Sequence, residues 1–370
     1  MTPTIQITLG RYQQEILSEM RRVIEQAQSQ ASIPGVADLS AYYGQMQYHL
    51  GWVDVSFSPV SSNPGKLLRP TLLLLSFEAA SANGQYSAGQ THLFQALPAA
   101  VAIELTHNFT LIHDDIEDGD RERRHRATLW NIWGIPQAIN TGDGMFALAR
   151  QTLWQVVERG VNPAVAVRLG LALDSACLVL SEGQYLDISF ERQTTVSVAM
   201  YIDMIRRKTG ALMACAAEMG ALLGTRENAV IERLRNFGQA MGVAFQVRDD
   251  LLGVWASAAE SGKTPAGDIY RRKKSLPILH ALEHANEQDR QRLLAIYTQS
   301  EPVTPEQVTT VLDIFARTET QAYCLAFLAE QCRLAHEALA NVPATTGEIS
   351  KRALEDMDRL VQFVEEASQT

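Results

Sequence analysis

Apolar positions recur at helical intervals along most of the 370 residues. From Arg11, in RYQQEILSEMRRVIEQAQSQ, the residues Tyr12, Ile16, Met20, Val23 and Ile24 follow at steps of four, four, three and one, a single helical face. Residues 33 to 64 carry Pro34, Gly35, Gly44, Gly51, Pro59 and Pro64, which predicts short helix mixed with loop and a closing turn at NPG. Leu72 to Ala80, after Pro70 in a first turn, and Ala96 to Ile112 are mostly apolar, so both are expected as helices buried on most sides. Long helices are predicted over Pro136 to Val157, Ala164 to Phe190, Ser197 to Leu223 and Asn228 to Trp255. No run alternates β-branched residues, no GxGxxG follows a strand, and the Asn83-Gly84 pair has no strand-like flanks. The expected fold is all-α: a single-domain bundle of long helices around a central cleft, with residues 1–40 as an N-terminal helical extension and 41–370 as the main domain.

With 46% hydrophobic and 20% charged residues, the chain can bury a sizeable core, which excludes a disordered tail or a disulfide-stapled miniprotein. Lys+Arg 32 against Asp+Glu 42 leaves a net charge of -10, so no nucleic-acid partner is expected and any anionic ligand must be held by local charge. Cys177, Cys215, Cys324 and Cys332 show no CxxC spacing, which fits reduced thiols rather than a zinc site or a disulfide framework. The N-terminus lacks a basic start followed by an apolar run, and no stretch approaches 18 uninterrupted apolar residues. A cytoplasmic protein without a transmembrane segment is therefore expected.

Within that acidic chain the charges are grouped. In LIHDDIEDGDRERRHR, at 111 to 126, Asp114 and Asp118 are four apart and share a helical face, with Asp115 at its edge. A solvated charged run and a Mg²⁺-binding face both fit this spacing, and the apolar approach through Phe109, Leu111 and Ile112 favours acids emerging from a packed helix. Asp249 and Asp250 close a second apolar helix, after Phe245 and Gln246. Two carboxylate clusters in one bundle would repel each other unless cations bind there, so a metal-loaded cleft is the simplest expectation. Basic clusters accompany them: Lys66 and Arg69 in GKLLRP, Arg123 and Arg124, Arg206 to Lys208 ahead of Thr209, Lys263, and Arg271 to Lys274. Such groups suit diphosphates, Arg as a planar fork and Lys as a compact charge.

The order GKLLRP, AIELTHNFTLIHDDIEDGDRERR, EGQYLD, RRKTG, FQVRDD and GDIYRRKKSLP resembles the trans-isoprenyl diphosphate synthases, the polyprenyl synthetase family of prenyltransferases, over roughly residues 60 to 285. The resemblance implies an isoprenoid synthase fold with a catalytic domain over 41–370. It implies head-to-tail condensation of isopentenyl diphosphate with an allylic diphosphate, a homodimer formed through helices near the first motif, and three Mg²⁺ ions per site.

Carried onto this sequence, the resemblance makes Asp114, Asp115 and Asp118 the first DDxxD motif and Asp249 and Asp250 the second, all as metal ligands. It places Arg123, Lys208 and Lys263 on the allylic diphosphate, with Lys273, Thr209 and Gln246 also on substrate, and Lys66, Arg69, His107 and Arg124 on isopentenyl diphosphate. Gln184, Asp187 and Asp268 support the metals. Three departures stand out: Pro64-Gly65 replaces a paired glycine, the segment after Arg123-Arg124 reads His125-Arg126-Ala127-Thr128, and Gly253 stands where the commoner pattern has a third aspartate. Phe109, five residues before Asp114, with small Thr110 beside it, resembles the product floor of geranylgeranyl diphosphate synthases; farnesyl or longer-chain synthases are the alternatives. A terpene cyclase would not need the isopentenyl residues, and a non-catalytic partner subunit would not keep both the first motif and Lys208-Thr209.

Overall fold

The computed structural model describes residues 3–31, 33, 38–60, 65–81, 91–193, 195–256, 265–343 and 347–366. Pro64, Asn83, Gly84 and Lys263 lie outside the described residues. The all-α expectation holds: helices carry nearly all of the described secondary structure, and the single sheet among the described residues is a two-residue antiparallel hairpin. The chain divides into two compact units, residues 1–175, 215–232 and 343–356 forming the first and 176–214, 233–342 and 357–370 the second.

In the first unit, helix Thr91–Glu117 packs along Ile135–Glu158 and against Leu68–Ala80. Leu72 to Leu75 and Ala99 to Ile103 are fully buried, as expected for helices that are apolar on nearly every side. Helix Gln13–Ala31 buries Ile16, Met20, Val23 and Ile24, the face given by its spacing. Tyr12 Oη donates to Glu78 Oε2 at 2.8 Å, and Arg352 Nη2 reaches the same oxygen at 2.7 Å, so one buried carboxylate ties the N-terminal region and helix Glu348–Glu365 to Leu68–Ala80.

In the second unit, Leu276–His284 packs on Val198–Ile205 and Thr320–Ala340. The helix expected over Ser197 to Leu223 is interrupted: Val198–Ile205 passes through a π-helical turn, Arg206–Gly210, before Ala211–Gly224 resumes α geometry. A π turn widens the backbone and loosens its own hydrogen bonding, and such turns concentrate at functional sites. Here Gln239 Nε2 donates to Arg206 O at 3.2 Å. All four cysteines are free thiols.

Helix Pro163–Arg192 includes the stretch Pro163–Glu191, which holds an 18-residue window of mean hydropathy 1.7 and is long and apolar enough to cross a membrane by length and composition alone. The expectation counted only uninterrupted apolar runs and so passed over it. Arg168 and Asp174 interrupt it and hydrogen-bond Asn228 and Arg150 respectively.

Candidate functional site

In the first unit, Thr91–Glu117 delivers Asp114 and Asp115 in its last turn. Asp118 lies just beyond the helix end, although its N–H still donates to Asp114 O at 2.8 Å, so the backbone holds the helical path for one more residue. Asp114 is half-buried and Asp118 exposed. Asp115 is 2% exposed and accepts Arg123 Nε at 2.7 Å. Burial pushes its carboxyl up to about 6, against the opposing pull of Arg123.

Arg123 reaches Asp115 because a hairpin pairs Glu122–Arg123 with Arg126–Ala127. The two turn residues, Arg124 and His125, take φ of 52° and 61°, the left-handed pair of a two-residue hairpin that Asn-Gly usually occupies. Side chains there are strained, and such strain concentrates at functional sites. Its result here is that adjacent arginines serve different neighbours. Arg124 lies against Gly65, whose φ is +86°, and a Cβ at Gly65 would sit 2.9 Å from Arg124 Nη2. The GKLLRP loop and the arginine pair therefore meet.

Around that contact is a cationic group. Lys66 is exposed and Arg69 half-buried, with Arg69 Nε buried and lacking a hydrogen-bond partner among the described residues. Glu104, buried one turn before Asn108, accepts Asn108 Nδ2 at 3.0 Å. Burial raises its pKa while the charge of Arg69 lowers it. Burial, then Arg69, Arg124 and Arg123, hold His107 well below the usual histidine range. Burial, then Arg123 and Arg124, push His49 down to about 3. At neutral pH both histidines are therefore hydrogen-bonding groups and not cations. A buried, unanswered guanidinium N–H among arginines suits an anion carrying several oxygens.

In the second unit the π turn positions Lys208 and Thr209. A Cβ at Gly183 would lie 2.3 Å from Lys208 N, so the glycine of EGQYLD permits the close approach of helix Pro163–Arg192 to that turn. Lys208 Nζ then meets Asp187 Oδ2 at 2.6 Å. Thr209 Oγ1 donates to Gln246 Oε1 at 3.1 Å, and Gln246 Nε2 to Asp250 Oδ1 at 3.2 Å. Asp250 is fully buried and also takes Tyr201 Oη at 2.5 Å, Leu276 N at 3.3 Å and Lys273 Nζ at 3.3 Å. Asp249 is exposed, because one residue of helix turns a side chain by about 100°. Thus the second acidic pair splits: one carboxylate is encircled by donors and the other faces outward.

The sequence-expected residues fall into these two groups. Lys66, Arg69, His107, Arg123, Arg124 and the first aspartates lie in the first unit; Gln184, Asp187, Lys208, Thr209, Gln246, Asp249, Asp250, Asp268 and Lys273 lie in the second. His49, Glu104, Asn108 and Tyr201 were missed: Glu104 and Asn108 pair four apart inside an apolar helix that carries no motif there, while His49 and Tyr201 gain their partners through tertiary packing. Phe109 meets Phe146 of Ile135–Glu158 edge-on at 4.9 Å between ring centroids, and Thr110 Oγ1 is turned back onto His107 O at 2.8 Å. Phe146 was missed for the same reason. Among the described residues no group of three or more His, Cys, Asp and Glu side chains forms a ready metal cage. The available donors are all carboxylates, a hard-oxygen set that suits Mg²⁺ retaining several waters.

A family model for polyprenyl synthetase matches residues 51–315. The (2E,6E)-farnesyl diphosphate synthase of Mycobacterium tuberculosis is 37% identical over 271 residues, spanning 73% of this chain and 72% of the relative. The geranylgeranyl diphosphate synthase of the same organism is 38% identical over 261 residues, spanning 70% and 71%. Among solved structures, a polyprenyl synthetase from Streptomyces coelicolor A3(2) superposes with a TM-score of 0.83 at 32% identity, covering 97% of this chain and 99% of the other.

Proposed function

Because the chain belongs to the polyprenyl synthetase family, we propose that it is a Mg²⁺-dependent prenyltransferase that adds isopentenyl diphosphate head-to-tail to an allylic diphosphate, with a twenty-carbon product. The observation that carries this reading is the cationic group of Arg69, Arg124 and neutral His107 with its unanswered guanidinium N–H, in the unit that also holds the first aspartates. A terpene cyclase needs no such second anion site.

In this reading Lys66, Arg69, His107 and Arg124 bind the diphosphate of isopentenyl diphosphate. Arg123, Lys208, Lys273 and Lys263 contact the allylic diphosphate, with Thr209 and Gln246 beside them. Asp114, Asp115, Asp118 and Asp249 are the residues that would hold Mg²⁺. Asp250, whose oxygens already accept four donors, would act by anchoring Lys273 and Gln246. When bound, Mg²⁺ neutralises charge developing on the departing diphosphate. The cationic side chains stabilise the same charge as the allylic C1–O bond breaks. The isopentenyl double bond then attacks C1, a carbon–carbon bond forms, and a proton leaves for the released pyrophosphate. The apolar helical interior keeps water from the carbocation.

Phe109 lies about 7.5 Å before Asp114 along the helix, at roughly 1.5 Å per residue, as a floor for a growing chain. Phe109→Ala is expected to lengthen the product, read by chromatography of the dephosphorylated alcohols; an unchanged product would remove Phe109 from the floor. The ring of Phe146 against Phe109 is the specific observation favouring a second reading, a fifteen-carbon product, since paired aromatics make a shallower floor.

We further read the protein as cytoplasmic and homodimeric. The stretch Ala96 to Ile112, on the helix that carries the first motif, is largely buried in the single chain. Exposed apolar side chains in the first unit include Trp154, Val157, Val167 and Leu171, and these support a subunit contact.

A further inference from the structure

The hairpin that carries Arg123 and Arg124 is shaped by residues outside it. Its turn holds Arg124 and His125 at left-handed φ, and no glycine or proline stands between residues 120 and 128 to preorganise it. Arg123 and Arg126 pair directly across the turn, where like charges repel. They are drawn to different anchors, Arg123 to Asp115 and Arg126 to the segment 48–53. The Arg126 guanidinium lies 4.1 Å from the centre of the Tyr48 ring, Nη1 donates to Tyr48 O at 3.1 Å, and Nη2 donates to Val53 O at 2.5 Å. Tyr48 Oη donates in turn to Ala127 O at 2.9 Å, so one buried tyrosine holds both residues that follow the turn.

Tyr48 is itself fixed. It lies in the last turn of helix Ser40–His49, its ring meets Trp133 edge-on at 5.1 Å, and Trp133 stacks on Phe57 at 5.8 Å with the planes 9° apart. Phe57 rests on Gly44 of the same helix, where a Cβ would fall 2.6 Å from its ring. All of these residues belong to the first unit.

We infer that Tyr48 and Arg126 are positioning residues, a clamp that keeps the hairpin in its left-handed turn and so holds Arg124 for the diphosphate of isopentenyl diphosphate. The role given to Arg124 rests on the function proposed above; the clamp rests on geometry alone. A hairpin left loose would have to be ordered when the diphosphate binds, which weakens binding, and the clamp orders it beforehand. Without it, His125 is free to leave its φ of 61° for conformations that a side chain adopts without strain. Arg123 depends on the clamp less, since Asp115 anchors it separately. A task thereby falls to the stretch before GKLLRP, which no motif in the sequence marks.

The test is a cycle of Arg126→Ala, His125→Gly and the double variant, each measured for melting temperature and for KM of both substrates. Arg126→Ala is expected to raise KM for isopentenyl diphosphate about tenfold, the lower end for one hydrogen bond to a charged group, and to change KM for the allylic diphosphate much less. The hairpin lies at the surface, so the melting temperature is expected to stay within about 2 °C of the parent. His125→Gly supplies the left-handed conformation without strain, and the double variant is expected to recover most of the loss, a non-additive cycle. Arg126→Lys keeps the charge but lacks the fork that reaches both carbonyls, and is expected to fall between the parent and the alanine variant. No recovery in the double variant would make Arg126 a direct ligand and overturn the inference. Unchanged KM values, with or without a lower melting temperature, would overturn it too. Should Arg126→Ala not fold, Tyr48→Phe, which removes the hydroxyl on Ala127 O, is run through the same cycle with a smaller expected rise. A parent chain without elongation activity would refute the functional reading alone, because hydrogen–deuterium exchange over residues 120–128 still reads the clamp. Arg126→Ala is expected to speed that exchange about tenfold and the double variant to slow it again; exchange equal to the parent's would reject the clamp.

Discussion

Asp115→Ala is expected to lower kcat by at least about 10²-fold, the scale of losing one preorganised charge-stabilising group. Asp115 is the member of the first motif held most firmly: buried, with Arg123 Nε on its Oδ1 at 2.7 Å. Its burial makes the unliganded carboxylate costly, which raises its pKa to about 6, and a cation bound beside it would relieve that cost. Alanine removes the charge and also leaves the Arg123 guanidinium without its anchor, so both sides of a diphosphate contact are lost together. Steady-state turnover at saturating Mg²⁺ and both substrates reads the effect. Turnover equal to the parent would remove Asp115 from the chemistry.

Asp250→Ala is expected to act first on stability. Its carboxylate is fully buried and satisfies Tyr201 Oη, Gln246 Nε2, Leu276 N and Lys273 Nζ. Removing one partner of a buried charged network typically costs about 3–5 kcal/mol, because the groups left behind stay desolvated. Lys273 is partly solvent-exposed and recovers some hydration, so the lower half of that range is the expectation here. Chemical denaturation with the slope held fixed gives the number. A loss below about 1 kcal/mol, the worth of an ordinary hydrogen bond, would show that the cage around Asp250 does not hold the second unit together. Asp249→Ala, on the exposed neighbour, is expected to spare stability, which separates the two adjacent aspartates.

That contrast marks where sequence stops being informative. Tyr12, Ile16, Met20, Val23 and Ile24 gave a buried face by spacing alone, since helical period and burial are the same fact seen twice. Asp249 and Asp250 read identically in sequence, and only the rotation of the helix against its neighbours decides which is caged. The π turn at Arg206–Gly210 was invisible because helix propensity there is ordinary; its geometry depends on Gly183 and Gln239 from other helices. The hairpin that parts Arg123 from Arg124 was missed because neither Arg124 nor His125 signals a left-handed turn. In the candidate site, the residues that motifs carry were legible, and the ones that orient them were not. Glu104 fell inside a helix read as mostly apolar, and Tyr201 inside a long helix with no role of its own. Each acquires its role from a residue distant in sequence, Arg69 and Asp250 respectively.

One incubation tests the proposed activity most directly: the purified chain with isopentenyl diphosphate, an allylic diphosphate and Mg²⁺, followed by separation of products by chain length. Allylic products extended by whole five-carbon units and ending at twenty carbons are expected, with no turnover when either substrate is withheld. Release of a hydrocarbon from the allylic diphosphate alone, or no product from any allylic primer, would contradict it.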